Sequence, residues 1–203
     1  MKSLVKSLFV ALALVISVSA VSADGYKVGD KTSSFELKNV SGEMVSLTDF
    51  PDAKGFIVVF TCNTCPYANK YEQRIIELHQ KYADQGYPVI AVNPNDPNKS
   101  PGDSFAKMKA RASEKDYPFP YLVDENSELA RKFGASYTPH VFVLDRKAAD
   151  QFTVAYIGAI DDNSGDPSKV QKPYVEKVVE AMIDGQKPPY DKVKGIGCGI
   201  KWS

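Results

Sequence analysis

The feature that most constrains this chain is an apolar run, Gly55 to Thr61, that passes directly into Cys62-Asn63-Thr64-Cys65-Pro66. Phe56, Ile57, Val58, Val59 and Phe60 are apolar without alternation. A run this short, bounded by Gly and Cys, reads as a strand buried on both faces. The apolar period then changes. Ala68, Tyr71, Ile75, Leu78 and Tyr82 stand alternately three and four residues apart, which makes one face of a helix ended by Gln85-Gly86. A doubly buried strand feeding a helix requires an α/β architecture with layers on both sides of the sheet.

The junction between strand and helix carries the chemistry. The first turn of a helix presents unpaired backbone N–H groups and the positive end of the helix dipole. Both favour thiolate over thiol, so the pair predicts a lowered pKa at Cys62, the first cysteine. Cys62 is then expected to attack a substrate disulfide and Cys65 to resolve the mixed disulfide. Pro66 suits an early helical position, where its missing N–H costs little.

The same residues bear on other readings of the pair. Haem attachment needs His after the second cysteine, and Pro66 is there. A structural zinc site needs more ligands than His79 and His140 supply. A structural disulfide between the two cysteines is the bland alternative, and a copper site built from Cys62, Cys65 and His140 is another, because thiolates suit Cu(I). The preferred reading assigns no cofactor and no metal. His140 reads as an ordinary strand residue and His79 as a solvated helix residue.

Along the chain, Ser34 to Leu37 and Met44 to Leu47 flank Asn39-Val40-Ser41-Gly42 and predict a β-hairpin. Tyr87 to Val92 predicts a strand, and Ser104 caps a helix with Phe105, Met108 and Ala112 inside. Pro120 to Val123 is a short strand, Asn126 to Phe133 a helix ended by Gly134, and Val141 to Leu144 and Phe152 to Ile157 two further strands. Pro173 opens a last helix with Val175, Val178, Val179 and Met182 inside. Early parallel crossovers followed by a hairpin and a helix predict a mixed central sheet with helices on both faces and an N-terminal β-hairpin. Asn93, Asn95 and Asp96 follow a strand at the carboxyl end of the sheet, where sites often lie, and are minor candidates.

Three cysteines in 203 residues are too few, and odd in number, for a stapling framework. Two form the pair; the third, Cys198, lies in a Pro/Gly-rich tail and is a candidate third redox thiol. Lys2 and Lys6, the apolar run Leu8 to Val18 and the small residues up to Ala23 read as a secretory signal peptide. The expected organisation is therefore a signal peptide at 1–23, one domain at 24–186 and a tail at 187–203. Export to the periplasm or beyond places the pair where disulfides persist. With 25 basic and 25 acidic side chains the chain has no basic excess, so no nucleic-acid partner is indicated, and no membrane partner after signal cleavage.

Thr138-Pro139 precedes a strand, a position where proline sometimes takes a special turn geometry, cis included.

These features together resemble the thioredoxin-like superfamily. Val28-Gly29-Asp30-Lys31, Phe35-Glu36-Leu37, Gly42 and Val45-Ser46-Leu47 look like the opening of its alkyl hydroperoxide reductase/thiol-specific antioxidant (redoxin) branch. Phe60 to Pro66, Asn93-Pro94-Asn95-Asp96, Tyr117 to Glu125, Ile160 to Asn163 and Gly197 to Trp202 resemble its peroxiredoxin-like subfamily with a Cys-Asn-x-Cys-Pro site. The resemblance implies a thioredoxin-like fold. It also implies that Thr138-Pro139 is the cis-proline loop beside the dithiol, whose backbone pairs with an extended substrate chain. True peroxiredoxins read Pro-x-x-x-Thr-x-x-Cys; counting back from Cys62 gives Val59 and Gly55, and from Cys65 gives Cys62 and Val58.

The expected function is an exported thiol-disulfide oxidoreductase with catalytic Cys62 and Cys65 and substrate-binding Thr138 and Pro139. Its partners would be protein or small-molecule disulfides and thiols, together with a thiol-disulfide electron donor. A thiol-dependent peroxidase acting on peroxides is the first alternative, and a copper-binding thioredoxin-like carrier the second.

Overall fold

A computed structural model describes residues 25–203; the expected signal peptide at 1–23 lies outside the described residues. The elements run β1 (Lys31–Ser33), β2 (Glu36–Asn39), β3 (Met44–Ser46), β4 (Gly55–Phe60), α1 (Pro66–Tyr82), β5 (Val89–Asn93), α2 (Phe105–Glu114) and β6 (Tyr121–Val123). They continue with α3 (Glu128–Phe133), β7 (Tyr137–Thr138), β8 (His140–Ala148), β9 (Gln151–Gly158), α4 (Tyr174–Ile183), β10 (Lys192–Val193) and β11 (Cys198–Gly199).

The main sheet has the order β1-β9-β8-β4-β5-β6-β2-β3, with β10 added beside β9. β4, β5 and β6 are parallel neighbours, β10 is parallel to β9, and the remaining pairs are antiparallel. The sheet is therefore mixed, and β2 and β3 form the expected hairpin at one edge.

The uniform apolarity of β4 has a simple cause. Successive strand side chains point to opposite faces. Ile57 and Val59 join Val89, Ala91, Val141 and Val143 against α1, Met108 of α2 and α4. Phe56, Val58 and Phe60 join Ile90, Val92, Phe142 and Leu144 against α3. All five apolar side chains of β4 are fully buried, and each such burial contributes roughly 1.5–3 kcal/mol. In α1 every apolar position read from the spacing is buried: Ala68, Tyr71, Ile75, Leu78 and Tyr82.

Several local expectations need correction. The third helix begins at Glu128, two residues later than expected, because Asn126 and Ser127 take left-handed φ of 63° and 55°. The Asp124 carboxylate accepts from the N–H groups of Leu129 (2.9 Å) and Ala130 (2.8 Å) and thereby caps that helix from outside. His79 is not solvated: it is half-buried, and its Nδ1 accepts from the Val89 N–H at 3.2 Å. His140 does not face outward either. It is buried and stacks on Tyr137 with ring centroids 4.1 Å apart. Residues 187–203 show no periodicity, yet they supply β10 and β11, which pair with β9 and β7.

Candidate active site

β4 ends at Phe60, and the chain reaches Cys62 one residue beyond Thr61. Cys65 is the N-cap residue of α1, with extended φ −78° and ψ 122°, and Pro66 follows as the first helical residue. Both thiols are free and buried, Cys62 being 5% and Cys65 2% exposed. The Thr138–Pro139 peptide bond is cis. β7 brings Thr138 against both sulfurs. Its hydroxyl stands 3.2 Å from Cys62 Sγ, and its carbonyl oxygen lies 3.2 Å from Cys65 Sγ, which can donate to it.

Asp103 fixes the loop between the two cysteines. It is buried, and its carboxylate accepts from the Asn63 N–H (2.7 Å) and from the hydroxyls of Thr64 (2.7 Å) and Ser100 (2.6 Å). The amides of Asn95 (2.9 Å) and Asn93 (3.2 Å) donate to it as well. The Asn63 side chain is held in turn by the Gly102 carbonyl (2.8 Å) and the Tyr121 hydroxyl (3.0 Å). Gly102 is required here, since a Cβ would stand 2.6 Å from Thr64 Cγ2. Burial acts to raise the Asp103 carboxyl, but the donors from Ser100, Asn95, Thr64 and Asn63 outweigh it and hold the group below its ordinary value.

The two thiols share a proton, which separates their titrations. The Cys65 sulfur, then burial, then the Asp103 carboxylate push the Cys62 thiol well above its ordinary value. Cys65 moves the other way, down to about 4, drawn chiefly by the hydrogen bond from Cys62 and opposed by burial. Cys198, the Ala68 N–H and Thr138 also favour its thiolate. The Thr138 carbonyl contact favours S–H at Cys65, but the donors around that sulfur outnumber this one acceptor. The residue at the helix start is Cys65, nearer the free N–H groups, whereas Cys62 lies beside a fixed negative charge.

The structure brings four of the expected site residues together, Cys62, Cys65, Thr138 and Pro139, and adds the fifth. Cys198 packs against the cluster of Cys62, Cys65 and Ala68. β11 pairs antiparallel with β7, placing Cys198 opposite Thr138 and Gly199 opposite Tyr137. A narrow cleft of 10 Å³ lined by Thr61, Cys62, Asn69, Glu72, Tyr117 and Phe119 reaches the Cys62 side, with room for about one water.

Sequence reasoning missed Asp103, since one acid in a turn-rich stretch carries no signal; only the asparagines at 93 and 95 hinted at it. Asp96 stays outside this network, its backbone N–H donating to the Lys201 carbonyl instead at 2.8 Å. His140 does not join the thiols as a ligand, and among the described residues no group of three or more His, Cys, Asp or Glu side chains is placed to hold a metal. Its Nδ1 has no hydrogen-bond partner.

Residues 28–149 match the model of the AhpC/TSA family. The fold is similar to the crystal structure of an uncharacterized conserved protein from Geobacillus kaustophilus, with TM-score 0.80 and 31% identity over 93% of this chain and 98% of that one. Among curated relatives, the thiol-disulfide oxidoreductase ResA of Bacillus thuringiensis subsp. konkukian is 23% identical over 59% of this chain, and the match spans 65% of ResA's length. The thioredoxin-like protein YneN of Bacillus subtilis is 31% identical over 63% of this chain and 71% of its own. The thioredoxin-like fold expected from the resemblance is therefore borne out.

Proposed function

We propose, from the premise that this chain belongs to the AhpC/TSA family, that it is an exported thiol-disulfide oxidoreductase working through Cys62 and Cys65. The observation that carries this reading is the convergence of two free thiols, at the end of a buried strand and the start of a helix, on the backbone and hydroxyl of Thr138 beside cis-Pro139. The names of relatives such as ResA support it.

In the proposed reaction Cys62 is the attacking thiol, because Cys62 lines the cleft. The pair carries one proton between its two sulfurs, and attack proceeds from the form in which Cys65 holds that proton and Cys62 is the thiolate. The Cys62 sulfur forms a bond to one sulfur of a substrate disulfide, and the other substrate sulfur leaves as a thiolate. Cys65 gives its proton to the departing substrate thiolate and attacks Cys62 Sγ; the second substrate sulfur leaves as a thiolate and takes a proton from water, completing the substrate dithiol and leaving a Cys62–Cys65 disulfide. Two electrons pass to the substrate, and a thiol donor restores the dithiol. Substrate chains would use the Thr138-Pro139 segment once the tail strand β11 leaves β7, and residues 1–23 would direct export.

Rates of exchange with a model protein disulfide test the reading. Cys62→Ser should abolish turnover, and wild-type turnover in that variant overturns the proposal. Sequencing the N-terminus of the exported protein tests cleavage after Ala23.

The AhpC/TSA match also supports a second reading as a thiol-dependent peroxidase. It would have to work without the proline and threonine of the peroxiredoxin motif, since Gly55 and Val59 stand in their places before Cys62. Thiol loss with stoichiometric hydrogen peroxide no faster than for free cysteine would end it.

A further inference from the structure

The edge of β7 is the place where an extended substrate chain would add as a strand. In this structure the protein's own tail occupies it. Cys198 and Gly199 pair antiparallel with Thr138 and Tyr137. Residues directly opposite in such a pair share one face, with Cβ atoms about 4.5–5.5 Å apart. The Cys198 side chain therefore lies on the face where the Thr138 hydroxyl meets Cys62, and it packs on the Cys62–Cys65 cluster.

The docking is built in on both sides of Cys198. The Gly195 N–H donates to the Tyr137 hydroxyl at 3.1 Å. A Cβ at Gly197 would stand 2.4 Å from the Thr138 carbonyl oxygen, so only glycine permits this approach. Beyond Cys198, Ile200 is buried, and the Lys201 N–H donates to Asn95 Oδ1 at 2.8 Å. Asn95 also donates to Asp103, so the same network holds the tail and the loop of the dithiol.

We propose that Cys198 is a third redox thiol, an internal substrate that exchanges with the disulfide of the Cys62–Cys65 pair. The inference rests on the oxidoreductase reading above. In the oxidised protein the Cys198 sulfur attacks Cys65 Sγ. A Cys65–Cys198 bond forms, the Cys62–Cys65 bond breaks, and the proton lost by Cys198 goes to Cys62. One disulfide is exchanged for another within the chain, with no net oxidation. The product carries a free Cys62 thiol at the cleft. In the reduced state burial, and then the neighbouring Cys65, raise the Cys198 thiol and keep it protonated. Oxidation of Cys65 to a disulfide removes that neighbouring thiolate, so attack by Cys198 follows oxidation of the pair.

Disulfide mapping by mass spectrometry after acid quench tests this on the full exported chain. The Cys62→Ser protein, oxidised with one equivalent of diamide, should lose two hydrogens and carry an intramolecular Cys65–Cys198 bond. Oxidised wild type should show Cys62–Cys65 and Cys65–Cys198 forms together, with part of Cys62 open to alkylation. Gly197→Val, which displaces the tail without altering a thiol, should retain Cys62–Cys65 and lose Cys65–Cys198. Should Cys65 and Cys198 stay unlinked in Cys62→Ser, or link only between molecules, while wild type forms Cys62–Cys65, the internal substrate is overturned and the dithiol stands. Absence of any Cys62–Cys65 bond in oxidised wild type would overturn the underlying reading as well.

Discussion

The hydroxyl of Thr138 stands 3.2 Å from the sulfur of Cys62, across 76 positions of sequence. This contact lowers the Cys62 thiol, while Cys65, burial and Asp103 raise it. The reactivity of the first cysteine is thus set by groups from three other parts of the chain.

Thr138→Val keeps the carbonyl contact to Cys65 and removes the hydroxyl. The loss of one hydrogen bond, about 1 kcal/mol, should slow alkylation of Cys62 roughly fivefold. Peptide-resolved alkylation by iodoacetamide at fixed pH measures it, and an unchanged rate would show that the hydroxyl does not act on the sulfur.

Asp103→Asn should act in the opposite sense on the same sulfur. Removing the negative charge lowers the Cys62 thiol and speeds its alkylation. The amide also turns a donor toward the ring of donors around Asp103, leaving buried groups unpaired at roughly 1–3 kcal/mol in stability. Urea denaturation of the reduced protein reads the second effect. Slower alkylation together with unchanged stability would refute both parts.

Asp161 pairs with buried Arg74 at 2.6 Å and accepts from the Tyr71 hydroxyl at 3.0 Å. Asp161→Ala leaves the guanidinium buried without its carboxylate and should cost roughly 3–5 kcal/mol. The exchange chemistry of whatever protein remains folded should persist, because Arg74 lies midway along α1, more than two helical turns from Cys65. A loss under 1 kcal/mol on urea denaturation would show that Arg74 finds other partners.

His140 is pushed down to about 4, by burial first and then by the charge of Lys192. The native state keeps this ring neutral down to about pH 4, whereas the unfolded chain protonates it from about 6.5. Protons therefore favour unfolding in that window, and stability should fall as pH drops from 6.5 toward 4. His140→Phe keeps the stack on Tyr137 and should flatten that limb of the stability curve. Parallel curves for the two proteins, measured by urea denaturation across the window, would exclude His140 as the cause.

Much of the framework was legible because it depends on local pattern. The unbroken apolarity of residues 56–60 can only be satisfied between two layers, and the three-four spacing from Ala68 can only be one helix face. All of these positions are buried in the structure. Boundaries were less legible where a side chain from elsewhere caps the backbone. Asp124 starts the third helix at Glu128 through bonds that no spacing announces. β1 escaped notice because it is a three-residue edge strand with Thr32 alone turned inward.

The sequence by itself determined the dithiol, since two cysteines three apart between a buried strand and a helix can occupy only the helix start. That Thr138-Pro139 stands beside them was implied by the resemblance to the thioredoxin-like superfamily. Tertiary structure alone decided how the pair is charged and what covers it. Asp103, Thr138 and Cys198 reach the pair from segments 38 to 136 positions away from the nearer cysteine or the farther one, and electrostatic influence depends on distance in space, not in sequence. For the same reason the tail, shapeless as a pattern, became a strand only because β7 offered it an unpaired edge.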